Sequence, residues 1–152
     1  MPRLLVVHHT PSPAMQELLE AALDGCRDPE ANDGSVELVV RPALTAAVVD
    51  ALEADGYLLA TPANIGYLAG AMKHFFDTIY YPCLEATRGR PFGAWVHGNL
   101  DLAGAVRALE AITGGLQWQQ VRPAIEIVGA PSREDREAVR DLASLVTATL
   151  AD

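Results

Sequence analysis

Two hydroxyl residues, Thr10 and Ser12, lie just before the first helical segment of the chain. Ser12 suits a helix N-cap and Pro13 suits the first helical position, so both hydroxyls should lie beside unpaired backbone N–H groups. Those groups and the helix dipole favour an anion such as phosphate. Plain helix capping explains the same residues, because the phosphate-binding patterns GxGxxG and GxxxxGK[ST] are absent from the sequence.

Two further polar segments carry groups that could contact a flat heterocyclic ligand. One supplies Asn64, Gly66 and Tyr67, and the other runs from His97 to Asp101 as His-Gly-Asn-Leu-Asp. Amide, imidazole and backbone groups can hydrogen-bond the polar edge of such a ring. Taken singly, each segment is equally well explained as a turn whose glycine provides a backbone conformation.

Three other groupings are poor candidates for chemistry. His8 and His9 are adjacent at the end of a predicted strand and so point to opposite faces, which argues against joint metal ligation. A hydrolase built on Ser12 lacks GxSxG and a third triad member. Lys73 and Asp77 are one helical turn apart, which favours an ion pair over an acid–base couple. We therefore predict no catalytic side chain and no metal site.

Apolar runs typical of strands alternate with segments of helical periodicity along the whole chain. The predicted strands are residues 3–8, 36–41, 56–61, 92–97 and 121–128. The predicted helices start near residues 13, 46, 67, 102 and 133, and the third should end near Tyr81 because Pro82 disfavours continuation. Phe75, Phe76 and Trp95 belong to the predicted core, while Trp118 could lie in the core or at an interface.

The strand patterns predict the order of strands in a parallel sheet. The first, third and fourth strands are apolar on both faces and suit interior positions. The second alternates polar and apolar residues, and the fifth contains Arg122, Pro123 and Glu126, which suit edges. With right-handed crossovers the order becomes 2-1-3-4-5, so we predict an α/β, flavodoxin-like three-layer sandwich formed by residues 1–152 as one domain. The three polar segments then meet at the carboxyl edge of that sheet.

The composition and charge of the chain restrict the environment and the partners that the protein can have. The chain has 152 residues with a formal net charge of -9, which opposes attraction to nucleic acid and anionic lipid surfaces. No apolar run approaches the roughly 20 residues that span a bilayer, and no secretory signal is recognisable. We therefore expect a soluble cytoplasmic protein without membrane or nucleic-acid partners. Cys26 and Cys83 should be buried free thiols rather than a disulfide.

One segment resembles a known family. Residues 56–77 read GYLLATPANIGYLAGAMKHFFD. This is similar to flavodoxin-like NAD(P)H-dependent FMN reductases, whose pattern is a strand, Thr-Pro, a short Gly-Tyr turn, and then small-Gly-x-x-Lys-x-Phe-x-Asp. The similarity continues through residues 78–84 and extends loosely over the whole chain.

The resemblance implies an FMN-binding oxidoreductase that passes reducing equivalents from NAD(P)H to a small-molecule or protein electron acceptor. It also implies a homodimer. The implied FMN contacts are Thr10, Ser12, Ala14 and Met15 for the phosphate, Pro62, Ala63, Asn64, Ile65 and Gly66 for the ring, and His97, Gly98 and Asn99 for its polar edge.

The first loop differs from the family pattern. Pro13, Ala14 and Met15 stand where members usually carry glycine and serine or threonine. Two alternatives therefore stay open, namely a flavodoxin-like domain that has lost the flavin and acts through protein contacts, and a small FMN electron carrier.

Overall fold

A computed structural model describes residues 1–151. Strands and helices alternate along almost all of this range. The strands are β1 Arg3–His8, β2 Glu37–Pro42, β3 Gly56–Asn64, β4 Tyr67–Leu68, β5 Pro91–Gly98, β6 Gln119–Gln120 and β7 Ile125–Val128. The helices are α1 Pro13–Cys26, α2 Val48–Glu53, α3 Gly70–Cys83, α4 Ala103–Leu116 and α5 Arg133–Leu150.

All the strands except β4 form a parallel sheet with β3 at its centre. β1 lies between β2 and β3, and β3 pairs on its other side with β5. The far edge of β5 pairs with both β6 and β7. The predicted order 2-1-3-4-5 is therefore confirmed, with β5 as the fourth strand and with β6 and β7 in place of the fifth. The doubly apolar patterns of β1, β3 and β5 match their interior positions.

Three predicted element boundaries are wrong. The predicted fifth strand, residues 121–128, is a strand only over β7, and the short β6 precedes it, because Pro123 has no N–H to donate to the β5 ladder. Tyr67 belongs to an antiparallel β3–β4 hairpin rather than to the third helix. That helix also includes Pro82, since a proline in the last turn removes only one N–H and the chain leaves the helix after Cys83.

Helices cover both faces of the sheet and enclose two apolar layers. One layer joins α1 and α5 to inward side chains such as Val6, Leu58 and Trp95. The other joins α2, α3 and α4 to side chains of the opposite face, including Leu59 and Val96. Adjacent residues of β3 thus contribute to different layers, as the alternation of side chains along a strand requires.

The two cysteines lie in different layers. Cys26 packs in the α1–α5 layer and Cys83 in the layer beneath α3. Both are buried and unbonded, which confirms the prediction of free thiols. Burial raises the pKa of each thiol, so both favour the unreactive neutral form. Within residues 1–151, no helix is both long and apolar enough to cross a lipid bilayer.

A buried tyrosine predicts how stability changes at alkaline pH. The hydroxyl of Tyr57 donates to the carbonyl of Ala51 at 2.6 Å. Burial raises the pKa of Tyr57 to about 12, although the Arg90 guanidinium acts in the opposite direction. An unfolded tyrosine titrates near pH 10, so the associated stability is complete below about pH 10 and is lost as the pH rises towards the folded-state pKa.

Comparison with Tyr57→Phe isolates this effect. The variant should be less stable than the wild type by about 1 kcal/mol at about pH 8, because one buried hydrogen bond is lost. The difference in stability between the wild type and the variant should shrink or change sign above about pH 10, since phenylalanine cannot ionise. Urea denaturation at a series of pH values measures both curves. A difference that stays constant with pH would contradict the prediction.

Candidate functional site

The three predicted loops follow β1, β3 and β5, which are neighbours in the sheet. Their carboxyl ends therefore open on the same edge, where open α/β sheets bind ligands. Hydrogen bonds fasten the loops to neighbouring elements. The His9 N–H donates to the Ala60 carbonyl at 3.0 Å, and the Gly129 N–H donates to the Gly98 carbonyl at 2.9 Å.

In the first loop, Ser12 is the N-cap of α1. Its hydroxyl accepts from the Met15 N–H at 3.2 Å, and Pro13 is the first helical residue. Capping is thus the observed role of Ser12. A hydroxyl that accepts one hydrogen bond still carries a proton to donate, so capping and anion binding are compatible.

Thr10 is coupled to a histidine. The hydroxyl of Thr10 lies 3.1 Å from Nδ1 of His8. Partial burial lowers the pKa of His8, and the neighbouring His9 acts in the same direction, which favours the neutral imidazole. When Nδ1 carries the proton, His8 donates to Thr10 and leaves the Thr10 O–H free for a ligand. Thr10 can then donate to an anion while remaining held in place.

The rest of the first loop offers backbone groups. Met15 is fully buried in the α1–α5 layer, so its side chain faces the core, and its N–H is already bonded to Ser12. Pro13 has no N–H. Among the described residues the Ala14 N–H has no hydrogen-bond partner, and it is the first-turn donor left for an anion.

The second loop is a tight β-hairpin, although the apolar periodicity of these residues predicts a helix from about Tyr67. Ala63 pairs with Leu68 and Asn64 with Tyr67. Between them Ile65 and Gly66 both have positive φ, 52° and 74°, as in a type I′ turn. The sequence signal that could have revealed this turn is Gly66 as the second of two residues between Asn64 and Tyr67. A buried hydroxyl anchors its base.

That anchor is Thr61. Its hydroxyl donates to the Pro62 carbonyl at 2.8 Å and accepts from the Ala69 N–H at 3.2 Å. Pro62 is itself buried, so it supports the loop from within the sheet. The exposed part of the loop begins at Asn64.

In the third loop, His97 turns away from solvent. Its Nε2 lies 2.8 Å from the Gly129 carbonyl, which ties β5 to the segment after β7. Gly98 is buried, whereas Asn99 and Leu100 are exposed. Asp101 accepts a hydrogen bond from the Ala103 N–H at 2.9 Å and so supports the start of α4.

A groove of about 250 Å³ separates the second and third loops. Five of the predicted residues line it, and three that were not predicted as contacts complete it. The lining residues are Ala63, Ile65, Gly66, Gly98, Asn99, Leu100, Asp101 and Leu102. Pro62, Asn64 and His97 do not line this groove, and Thr10, Ser12, Ala14 and Met15 belong to the separate first loop. Leu100 and Asp101 already belong to the third segment and Leu102 directly follows it, so treating the whole segment up to α4 as contacts would have found all three.

Two other grooves lie on helix surfaces away from this edge. One of about 290 Å³ runs between α1 and α5 among charged side chains that already pair, such as Arg136 with Glu17. The other, of about 340 Å³, lies between α3 and α4 beside the ion pair of Lys73 and Asp77. That pair has an N–O distance of 2.6 Å, which confirms the predicted ion pair. Neither groove combines strand-end loops from several strands, so the carboxyl edge is the better candidate site.

Comparison with known proteins supports the architecture. No protein-family model and no curated protein sequence matches the chain. Among solved structures, a flavodoxin from the domain Archaea matches with a TM-score of 0.82 and 16% identity over 99% of both chains. A flavodoxin, WrbA-like protein from Agrobacterium tumefaciens matches with a TM-score of 0.77 and 17% identity over 99% of this chain and 98% of its own.

A third solved structure is the apo form of an NADH:FMN oxidoreductase, EMOB. It matches with a TM-score of 0.78 and 14% identity over 99% of this chain and 90% of its own. At such identities the similarity concerns the backbone and not the site. Together with the sheet order and the two helical layers, these matches show that the chain has the flavodoxin-like fold.

Proposed function

We propose that the protein binds FMN at the carboxyl edge of its sheet and passes reducing equivalents from NAD(P)H to a small-molecule or protein acceptor. The observation that carries the proposal is the meeting of three strand-end loops at one edge, with a groove between the second and third. Solved structures of the same fold include a protein described as an NADH:FMN oxidoreductase, which supports this class of activity.

The groove offers suitable groups for the isoalloxazine ring. Ile65 is fully exposed and Leu100 is 86% exposed, although both side chains are large and apolar. A flat ring placed in the groove would remove apolar surface of both residues from water. Asn99 and the neighbouring backbone supply hydrogen-bonding groups for the polar edge of the ring.

The first loop offers a less complete set of groups for the phosphate. The hydroxyls of Thr10 and Ser12 can each donate one hydrogen bond, and the Ala14 N–H can donate another. The loop from His8 to Gln16 contains no lysine or arginine, so charge stabilisation would come mainly from the α1 dipole. The residues present therefore fit a phosphate with few donors.

Bound FMN would supply the hydride and electron transfer. The chain's own residues have simpler tasks. Thr10 and Ser12 would hold the phosphate, the turn at Ile65 and Gly66 would support the ring, and Asn99 would orient its polar edge. No side-chain general base is needed, which agrees with the absence of a convincing acid–base pair in the sequence.

Titration of the purified protein with FMN tests the proposal. Flavin fluorescence and the visible absorbance bands report binding, and NADH or NADPH consumption with an artificial acceptor reports turnover. Binding with turnover supports the reductase. Binding with reversible reduction but no NAD(P)H oxidation indicates an electron carrier instead.

A second candidate is a flavodoxin-like domain without flavin that acts through protein contacts. The observation in its favour is the first loop, where Pro13 lacks an N–H and the Met15 N–H is already bonded. Absence of FMN binding at high concentrations of both components would favour this candidate over the first.

Replacing Pro13 by glycine tests the missing donor directly. Pro13→Gly adds an N–H to the first turn of α1, so FMN should bind more tightly by up to one charge-assisted hydrogen bond, about 1.5–3 kcal/mol. The variant should also lose roughly 0.4–1 kcal/mol of stability, because glycine raises the entropy of the unfolded chain. FMN titrations and ligand-free thermal melts separate the two effects. Unchanged or weaker binding in a folded variant would show that this N–H is not what the loop lacks.

A further inference from the structure

The turn at the groove has an unfavourable backbone conformation. Ile65 has a φ of 52°, which branched side chains rarely adopt, and its side chain gains no burial because it is fully exposed. Asparagine or aspartate is the usual partner of glycine in a type I′ turn. A contact outside the two-residue turn must therefore help to hold this conformation.

Helix α4 makes such a contact through a glycine. A Cβ added at Gly104 would lie 1.9 Å from the carbonyl oxygen of Gly66, whereas real Cβ contacts are at least 3.0 Å. The α4 backbone therefore lies directly against the turn, at a distance that only glycine allows. Alanine favours helices more than glycine does, so helix propensity does not account for glycine at this position.

A second glycine brings the third loop to the same place. A Cβ at Gly98 would lie 2.6 Å from Cδ2 of Leu102 and 3.5 Å from Cβ of Ala63. The start of α4 thus contacts the turn through Gly104 and approaches β5 through Leu102. The start of α4 therefore supports both the second loop and the third loop, which form the two walls of the groove.

We propose that Gly104 is a positioning residue for the candidate flavin site, because its contact with the Gly66 carbonyl sets the place of the turn that supports the ring. The inference rests on the proposed function. A methyl group at residue 104 would meet a backbone atom that cannot rotate away, so the turn or the helix must shift by about 1 Å. The groove between them would change width without any change in its lining side chains.

Gly104→Ala tests the inference, and Gly114→Ala is its matched control. Gly114 lies in the same helix, and a Cβ there would meet nothing within 4 Å. Binding is measured with FMN and with lumiflavin, which has the ring but no phosphate. Hydrogen exchange of the backbone amides of residues 63–69 is measured without ligand.

The expected result is equal weakening of FMN and lumiflavin in Gly104→Ala by about tenfold or more, the change in affinity that follows from losing about one hydrogen bond to the ring that both ligands share. Exchange in residues 63–69 should become faster in the same variant. Gly114→Ala should match the wild type in both measurements. Equal lumiflavin affinity in Gly104→Ala and the wild type, or unchanged exchange in the hairpin, would overturn the inference.

Failure of the proposed function gives a different pattern. If the wild type binds neither flavin, the FMN proposal is wrong, and exchange alone decides whether Gly104 positions the turn. If Gly104→Ala does not fold, the double variant Ile65→Gly/Gly104→Ala is compared with Ile65→Gly. Two glycines let the turn move away from the added methyl group, so this pair should fold and differ in hairpin exchange. Equal exchange in the pair would overturn the inference.

Discussion

Trp118→Ala should lower the free energy of unfolding by about 3–5 kcal/mol, the range expected for removing a large buried aromatic side chain. The indole of Trp118 stacks on the Tyr57 ring with centroids 3.8 Å apart and an interplanar angle of 5°. It also contacts Phe76 and Phe92, and its N–H donates to the Thr87 hydroxyl at 2.8 Å. Truncation would leave a cavity and remove one of the two hydrogen bonds of the buried Thr87 hydroxyl, which also donates to the Cys83 carbonyl at 2.8 Å.

The melting temperature should fall by roughly 6–20 °C, since a domain of this size loses about 2–4 °C per kcal/mol. Trp118→Phe is the matched control, because it keeps an aromatic ring and removes mainly the bond to Thr87. Leu44→Ala is a surface control, as Leu44 is 60% exposed. Thermal and urea denaturation of the three variants provide the comparison.

The position of Trp118 also predicts what should not change. Trp118 immediately precedes Gln119, which pairs with Pro91 at the amino end of β5, whereas the groove lies beyond the carboxyl end. Ligand affinity of the folded Trp118→Ala protein should therefore match the wild type. A stability loss below about 1 kcal/mol would contradict the buried stack as a major core contact. Burial also settles the open question about Trp118, which belongs to the core of the chain itself.

The strand order was predictable because strands that are buried on both faces consist almost entirely of apolar residues. β1, β3 and β5 have interior stretches without charged residues, and such strands must lie inside a sheet. Glu37 and Arg41 in β2 indicate an edge for the opposite reason. Because the strand order determines which carboxyl ends are neighbours, the meeting of the three loops was predictable as well.

Local backbone conformations were harder to predict because competing patterns overlap. Leu68 has the correct spacing from Met72 for a helix, yet Asn64 and Tyr67 pair across a turn instead. The turn contacts α4 where Gly66 meets Gly104. These residues are far apart in sequence, so hydrophobic periodicity does not indicate the contact. Residues 121–128 likewise contain enough apolar side chains for one strand, yet only 125–128 form one, because Pro123 cannot donate a ladder hydrogen bond.

In the candidate site, too, the placement of residues at the sheet edge was predictable, whereas the directions of their side chains were not. The sequence placed Ala63, Ile65, Gly66, Gly98 and Asn99 at one sheet edge, and all five line the groove. The inward direction of Met15 and His97 depends on packing and on the bond to Gly129, which loop composition does not reveal. The sequence was compatible with Ser12 as a helix cap or as an anion ligand, and in the structure Ser12 is the N-cap of α1.

Removing both hydroxyls of the first loop should separate FMN from riboflavin. Each hydrogen bond to a charged phosphate contributes about 1.5–3 kcal/mol, so Thr10→Ala/Ser12→Ala should weaken FMN by about a hundredfold or more. Riboflavin lacks the phosphate, and its affinity should change by less than about threefold. The wild type should accordingly prefer FMN to riboflavin. Fluorescence titrations with both flavins measure the preference.

The double variant also loses a helix cap, and this effect needs its own control. Ser12→Ala should cost about 0.5–2 kcal/mol of stability because the Met15 N–H loses its partner. Ser132 caps α5 in the same way, accepting from the Asp135 N–H at 3.1 Å, and lies outside the three loops. Ser132→Ala should therefore reproduce the stability loss without changing the preference for FMN. Parallel weakening of FMN and riboflavin in the double variant would mean that the first loop supports the fold of the site but does not hold the phosphate. A selective loss of FMN would assign that role to Thr10 and Ser12, because no other change in the pair distinguishes a phosphorylated flavin from an unphosphorylated one.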